Sequence, residues 1–356
     1  MIRAFQSSQL AFPARPDEPS VPKLPTFLPG ETWGVTCYFN PTGSPTLRDN
    51  VRLFSQGVRA QGLKLLIVEL AFGHAPFEIA EGFAEVVIRR RSDAVLWQKE
   101  RLLNIGIKHL PAACDKVVWL DADILFENSS WVEETRRLLE SYVVIQPYQT
   151  ACWLPRGCCA APQSLPRGLG EGHAMPGMAL TLAQRADRRR ALSDYFEHGH
   201  SGFAWAARRE VLDSHGLYDR RILGGGDIVI AHSLYGDTDF WRGLNFYCRQ
   251  MTRKEIASVA EWGRAIHEDV RGSIYYTPGR VLHLWHGSIA RRDYLDRQKI
   301  LKENDYDPNT DVALDAEGCW RWNSVKPDLH HRARAYFAAR EGESTEPQPD
   351  SRGEVS

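Results

Sequence analysis

Two carboxylates one residue apart, Asp121 and Asp123, follow directly on the apolar run Val117-Val118-Trp119-Leu120. In an extended strand side chains i and i+2 share a face, so the pair is expected to leave the carboxyl end of a buried strand together. Ligands of open α/β sheets bind at that end, and paired carboxylates offer hard oxygens suited to Mg²⁺ or Mn²⁺. Such an ion bridges the phosphates of a nucleotide and acts as a Lewis acid for the leaving group. The plainer alternative is that both Asp only solubilise a strand end or cap a turn. A second constellation is Gly224-Gly225-Gly226-Asp227. Glycine lets backbone approach a ligand and Asp227 would project into the space so formed, although a simple Gly-rich turn has the same signature. His283 and His286 lie three apart in VLHLWHG (281–287). On one regular strand they point to opposite faces and cannot share a metal. Neutral imidazole favours Mn²⁺ over Mg²⁺.

Alternating strands and helices must position these groups. Apolar segments at 32–39, 63–70, 84–88 and 116–120 alternate with helical patterns around 47–61 and 95–109. Strands that are apolar on both faces argue for an α/β fold, a mostly parallel central sheet with helices on both faces. Residues 131–140 read as the next helix, N-capped by Ser129 or Ser130, and 142–146 as the strand after it. From 147 to 200 prolines and glycines dissolve the pattern, as in a functional lid or binding insertion. Regular structure resumes at 201–216, a strand running into a helix that Gly216 stops. The residues after His286, 291–308, read as a closing amphipathic helix. Prolines at 13, 16, 19, 22 and 25 mark residues 1–30 as an extended arm, and 339–356 reads as a disordered polar tail. A single catalytic domain over 31–338, carrying the 147–200 insertion, is expected.

Composition narrows the class. A chain of 356 residues with 43% hydrophobic content can bury a sizeable core. With 44 Lys+Arg against 45 Asp+Glu it has no electrostatic footprint for coating a polyanion. No run is apolar enough for a membrane span or a signal peptide, so a cytoplasmic location is expected. The 7 Cys form no CxxC pair and read as reduced thiols. The 11 Trp exceed what a core requires and suggest stacking on a ligand, with core filling as the alternative. Trp119, inside a strand, belongs to the core, whereas Trp205, Trp241 and Trp285 fall in or near the candidate segments. The basic run Arg185–Arg190 could attract a phosphorylated acceptor, nucleic acid included, or be a solvated face.

The strand followed by Asp121-Ala122-Asp123, then SGFAWAARREVL (201–212), ILGGGD (222–227) and VLHLWHG, resembles in content and order the GT-A fold glycosyltransferases, in particular the galactosyltransferase-like subgroup, over roughly residues 32–310. The resemblance implies a nucleotide-sugar donor, a UDP-sugar, held by Mn²⁺ or Mg²⁺ on Asp121 and Asp123. It implies a late His as further ligand, His286 first and His283 second. Asp227 matches the carboxylate that deprotonates the acceptor hydroxyl in inverting enzymes, as general-base catalysis requires. The chain departs from that pattern in Leu223, where Trp is frequent, and in Gly226, where Glu is frequent. The resemblance also implies donor contacts from Phe39, Asn40, Glu69, Arg101, Asn104 and Gly202, with structural bracing as the alternative for Arg101 and Asn104. It implies a sugar pocket formed by Gly225, Gly226, Trp205 and Trp285, and a reach of Arg291 and Arg292 to the diphosphate.

Donor sugar and acceptor stay open, the acceptor being a glycan, a lipid-linked sugar, a protein or a modified DNA base. The competing readings are a sugar-phosphate nucleotidyltransferase, a catalytically inactive glycan- or nucleotide-binding protein, and a glycosyltransferase acting on hydroxymethylated DNA bases. The first of these needs a Gly-rich basic loop after the first strand, of which CYFNPTGSPTLR (37–48) is a thin version.

Overall fold

The computed structural model describes residues 25–194, 197–237, 250–287 and 296–339. In chain order its elements are β1 Glu31–Phe39, α1 Pro45–Ala60, β2 Lys64–Phe72, β3 Val86–Ser92, α2 Lys99–Lys108, β4 Cys114–Leu120, β5 Ile124–Phe126, α3 Trp131–Ser141, β6 Val144–Gln146, β7 Thr150–Trp153 and β8 Ala174–Pro176. There follow α4 Met178–Gln184, α5 Arg188–Leu192, β9 Ala204–Arg208, α6 Arg209–His215, α7 Gly226–Leu234, α8 Arg253–Val270, β10 Ile274–Tyr276, β11 Arg280–His283, α9 Asp296–Glu303, β12 Val312–Leu314, β13 Trp320–Trp322 and α10 Pro327–Ala339.

Seven strands form the central sheet in the order β10-β6-β9-β4-β1-β2-β3. Its described strands are parallel except β9, which runs antiparallel to both of its neighbours, β4 and β6. The fold is therefore mixed α/β with a large, mostly parallel sheet, as the apolar runs predict. Period-two alternation divides its side chains between two cores. Val35, Leu66, Val68, Val117 and Trp119 pack with Leu102, Leu103 and Ile105 of α2. Leu65, Ile67, Val118 and Leu120 pack with Val51, Phe54 and Val58 of α1 on the other face. Each such aliphatic side chain, fully buried, contributes about 1.5–3 kcal/mol. The α2 helix lies close on the sheet because Gly106 has no Cβ; one there would come within 2.5 Å of Val35 Cγ1.

Local expectations meet this architecture with instructive differences. The short strand expected at 84–88 runs on through Ser92, because β3 is an edge strand whose solvent side accepts Arg89–Arg91. The patternless stretch 147–200 holds β7, β8, α4 and α5, elements too brief to leave a periodicity. With β5 and β11, the strands β7 and β8 build a second sheet in the order β5-β11-β7-β8 beside the mouth of the first. Residues 26–30 of the expected arm lie on the body: Thr26 N–H donates to the Glu140 carbonyl, and the carbonyls of Leu28 and Gly30 accept from the buried Lys116 ammonium. A third core, with Leu96, Ile222, Leu223, Leu301, Trp320 and Phe337, fixes α9, α10 and the β12–β13 hairpin against the loop that leads into α7. No helix among the described residues is long and apolar enough to cross a membrane.

Candidate active site

The β4 strand ends at Leu120, and the chain turns at Ala122 and Asp123 into β5 instead of continuing extended. The two carboxylates thus do not leave on one strand face as expected; the turn sends them to different partners. Asp121 N–H donates to the Phe203 carbonyl at 2.8 Å, tying the end of β4 to the residue before β9. Its carboxylate contacts the Lys99 ammonium. Lys99 opens α2 and also donates to Asp227 Oδ1 at 2.7 Å, so one buried cation joins the first carboxylate to the Gly-rich segment. Burial works against the Lys99 charge, and Asp121, Asp227 and Glu100 more than offset it, holding the ammonium well above its usual range. Burial, with the nearby Asp227 and Asp123, pushes the Asp121 carboxyl up against the pull of Lys99.

Asp227 stands in the first turn of α7 because the preceding backbone is unusual. Gly224 and Gly225 both have positive φ, +83 and +85, a conformation that side-chain-bearing residues resist. Gly226 is needed for a different reason: a Cβ there would come within 2.3 Å of Glu100 Oε1. Glu100 is itself buried, and burial raises its pKa to about 8. Behind the loop, Arg221 donates to Glu255 at 2.5 Å and to Gln298, whose amide donates to the Gly224 carbonyl at 3.1 Å.

Asp123 faces the histidines. His286 Nε2 lies 2.9 Å and His283 Nε2 3.7 Å from Asp123 Oδ2, and one ligand atom from each of the three residues falls within 4.8 Å of the others. The opposite-face expectation for the two His therefore fails, because β11 ends at His283 and the chain beyond it is no longer strand. One carboxylate oxygen and two imidazole nitrogens fit a first-row divalent ion such as Mn²⁺, and suit Mg²⁺ less well. Asp121, expected as the companion ligand, lies outside this cluster among the described residues and is engaged by Lys99.

Gly202 lies beside Asp227 and His200. A Cβ on it would come within 3.5 Å of Asp227 Oδ2 and 3.6 Å of His200 Nε2. The next residue, Phe203, has φ +71, a strained conformation for an aromatic residue of the kind that clusters at functional sites. Its ring stacks on His283 at 4.9 Å and meets His200 at 4.1 Å.

Other sequence candidates have different employment. Trp205, expected in a sugar pocket, is buried core: it pairs in register with Trp119 and its indole donates to the Ser201 carbonyl. Arg101 and Asn104, for which the sequence leaves donor contact and bracing both open, brace the chain, Arg101 on Gly318 and Asp219, and Asn104 on Leu217 and Asp219. Glu69 is buried and accepts from the Glu78 and Ile79 amides. Asn40 holds Ser44 at the start of α1 and donates to Glu78, and Phe39 packs edge-on against Phe72 and Trp97. Trp285 donates its indole N–H to Glu171 Oε1 at 2.7 Å, with Arg156 over its ring. Within the basic run Arg188 is buried, so the run is not a uniform patch. Trp241, Arg291 and Arg292 lie outside the described residues. Lys99, Glu100 and His200 were not signalled by the sequence, since each looks like an ordinary polar residue of a helix start or loop.

No protein-family model and no curated protein matches the sequence. Among solved structures the chain is similar to glucosyl-3-phosphoglycerate synthase from Mycobacterium tuberculosis in complex with Mg²⁺ and uridine-diphosphate, at 15% identity and a TM-score of 0.38, covering 80% of this chain and 83% of that one. It is also similar to the catalytic domain of Drosophila beta1,4galactosyltransferase 7 in complex with xylobiose, at 10% identity and TM-score 0.34, covering 84% and 98%. A further match is 4-diphosphocytidyl-2C-methyl-D-erythritolsynthase from Anaerococcus prevotii, at 8% identity and TM-score 0.28, covering 70% and 87%. Likenesses this loose transfer no activity.

Proposed function

We propose that the chain is a metal-dependent glycosyltransferase of the GT-A type that moves a sugar from a nucleotide-sugar donor, a UDP-sugar, to an acceptor hydroxyl with inversion. The observation that carries this reading is the meeting of Asp227 with the end of β4: Lys99 joins it to Asp121, next to the Asp123, His283 and His286 donor set. Those three side chains would hold the ion, which supplies charge neutralisation for a departing diphosphate. Lys99 occupies Asp227 Oδ1, and Oδ2 lies 3.5 Å from the point a Cβ on Gly202 would occupy, beside the His200 ring. Oδ2 is thus the atom that takes the proton of an attacking hydroxyl. A single displacement needs one base and no enzymic nucleophile, and it inverts the sugar carbon. Lys99 holds the Asp227 carboxylate in place through Oδ1, and its second contact, Asp121, keeps the ammonium in position.

The experiment is a panel of nucleotide sugars with Mn²⁺, read as slow release of free UDP or GDP. Hydrolysis of one donor supports the reading. Pyrophosphate release from a nucleoside triphosphate plus sugar phosphate, with every nucleotide sugar inert, would replace it by a nucleotidyltransferase. Saturable sugar binding that ignores metal and yields no hydrolysis would leave only a binding protein.

A further inference from the structure

The end of the 147–200 segment brings a buried histidine to the space over Gly202, and the hydrogen bonds around it fix its tautomer. Tyr148 has one hydroxyl proton. Its oxygen is 2.7 Å from the Gly202 carbonyl and 3.5 Å from the His200 carbonyl, so the proton goes to Gly202. The same oxygen accepts from the Gln146 amide at 2.7 Å, and Gln146 is itself fixed because its amide oxygen accepts from Ala179 N–H. His200 Nδ1 lies 3.1 Å from that hydroxyl, and with the hydroxyl proton already given away it must be the donor. A neutral imidazole with its proton on Nδ1 leaves Nε2 as a bare lone pair. The ring is neutral because burial lowers its pKa to about 3. Trp153, edge-on at 5.1 Å, and Phe203 hold the ring in place.

Nε2 and Asp227 Oδ2 are thus two acceptors lying within 3.6 Å of the point a Cβ on Gly202 would occupy. Two acceptors converging on one small space call for a molecule that brings two hydroxyl donors. We infer that His200 is a specificity-determining residue whose Nε2 accepts a hydrogen bond from a substrate sugar hydroxyl, beside the hydroxyl that Asp227 deprotonates or on the donor sugar facing it. The inference rests on the glycosyltransferase reading above. A hydroxyl-recognising acceptor of this kind rejects an analogue without the hydroxyl, because nothing then satisfies the geometry the site has built.

The test has two arms. The first is nitrogen NMR of the full chain labelled at histidine, with His200→Phe assigning the His200 signals. Nδ1 in the protonated range and Nε2 in the unprotonated range are expected; a proton on Nε2 overturns the inference. The second is steady-state kinetics with Mn²⁺ and whichever donor of the UDP-glucose and UDP-galactose panel the wild type consumes, for wild type, His200→Phe and His200→Gln. His200→Phe is expected to lose about tenfold or more in kcat/KM, and His200→Gln, whose amide oxygen can replace the lone pair, to recover most of it. A loss already present in acceptor-free hydrolysis assigns the hydroxyl to the donor sugar; a loss confined to transfer assigns it to the acceptor. Equal kcat/KM in wild type and folded His200→Phe overturns the inference while leaving the function intact. A wild type inert towards every nucleotide sugar removes the functional reading first, and the inference with it.

Discussion

Lys99 Nζ lies 2.7 Å from Asp227 Oδ1, although Lys99 opens the helix after the third strand and Asp227 opens one more than a hundred residues later. The pair welds the two halves of the site. Replacing the ammonium by an isosteric apolar chain leaves Asp121 and Asp227 facing each other without a counter-charge. Lys99→Met is expected to destabilise the fold by about 1–3 kcal/mol, read from the urea midpoint, and to remove turnover. Lys99→Arg, which keeps the charge, is expected to retain most of the stability. Unchanged stability in Lys99→Met would mean the contact is incidental.

Asp227→Asn keeps the size and the Lys99-facing oxygen but cannot take a proton. Donor binding measured by calorimetry is expected to stay within about threefold, while turnover falls by about 10²-fold or more. Transfer at the wild-type rate would remove the base assignment.

Mn²⁺ binding should depend on each of Asp123, His283 and His286. Substitution of any one by Ala is expected to weaken Mn²⁺ by about tenfold or more, since disturbing even the groups behind metal ligands costs that much. Electron paramagnetic resonance of free Mn²⁺ in a titration measures it directly. The informative variant is His283→Ala, because sequence spacing alone would leave that residue out.

Gly226→Ala is expected to destabilise the protein by about 1–3 kcal/mol, because the new methyl collides with the buried Glu100 carboxyl. The double variant Gly226→Ala with Glu100→Ala is expected to recover part of that loss. A thermal-melt cycle of the four proteins measures the coupling, and simple additivity would mean the collision is relieved elsewhere.

Trp205 provides the contrast. As a core residue it is expected to cost about 3–5 kcal/mol when cut to Ala. The milder Trp205→Phe is expected to leave the KM for the donor unchanged. A donor-specific rise in KM in that variant would return Trp205 to the sugar pocket.

The parts of this molecule that the sequence announces are those governed by burial. Runs dominated by apolar residues, such as 63–70 and 116–120, read as strands covered on both sides, and Asp121 and Asp123 stand out because they follow one directly. What depends on where a strand stops was not visible: a turn at Ala122 redirects Asp123, and the end of β11 at His283 turns two opposed histidines into neighbours. Trp205 misled because an aromatic residue near a site has the same letter whether it faces a ligand or a neighbouring strand. Lys99 and Glu100 leave no such signal, because charged residues at a helix start are ordinarily solvated; here Asp121, Asp227 and Gly226, distant in sequence, come against them.

The reversed strand β9 has a consequence for how the chain is made. It is wedged between β4 and β6, so the strand that leads into the site's carboxylates borders an open sheet edge until residue 208 has been synthesised. During that interval the nascent chain presents an unpaired, apolar strand edge, the kind of surface that pairs with other chains. Expression at low temperature or with a holdase chaperone should therefore improve the yield of folded protein, and truncation before β9 should give aggregates in place of a smaller domain.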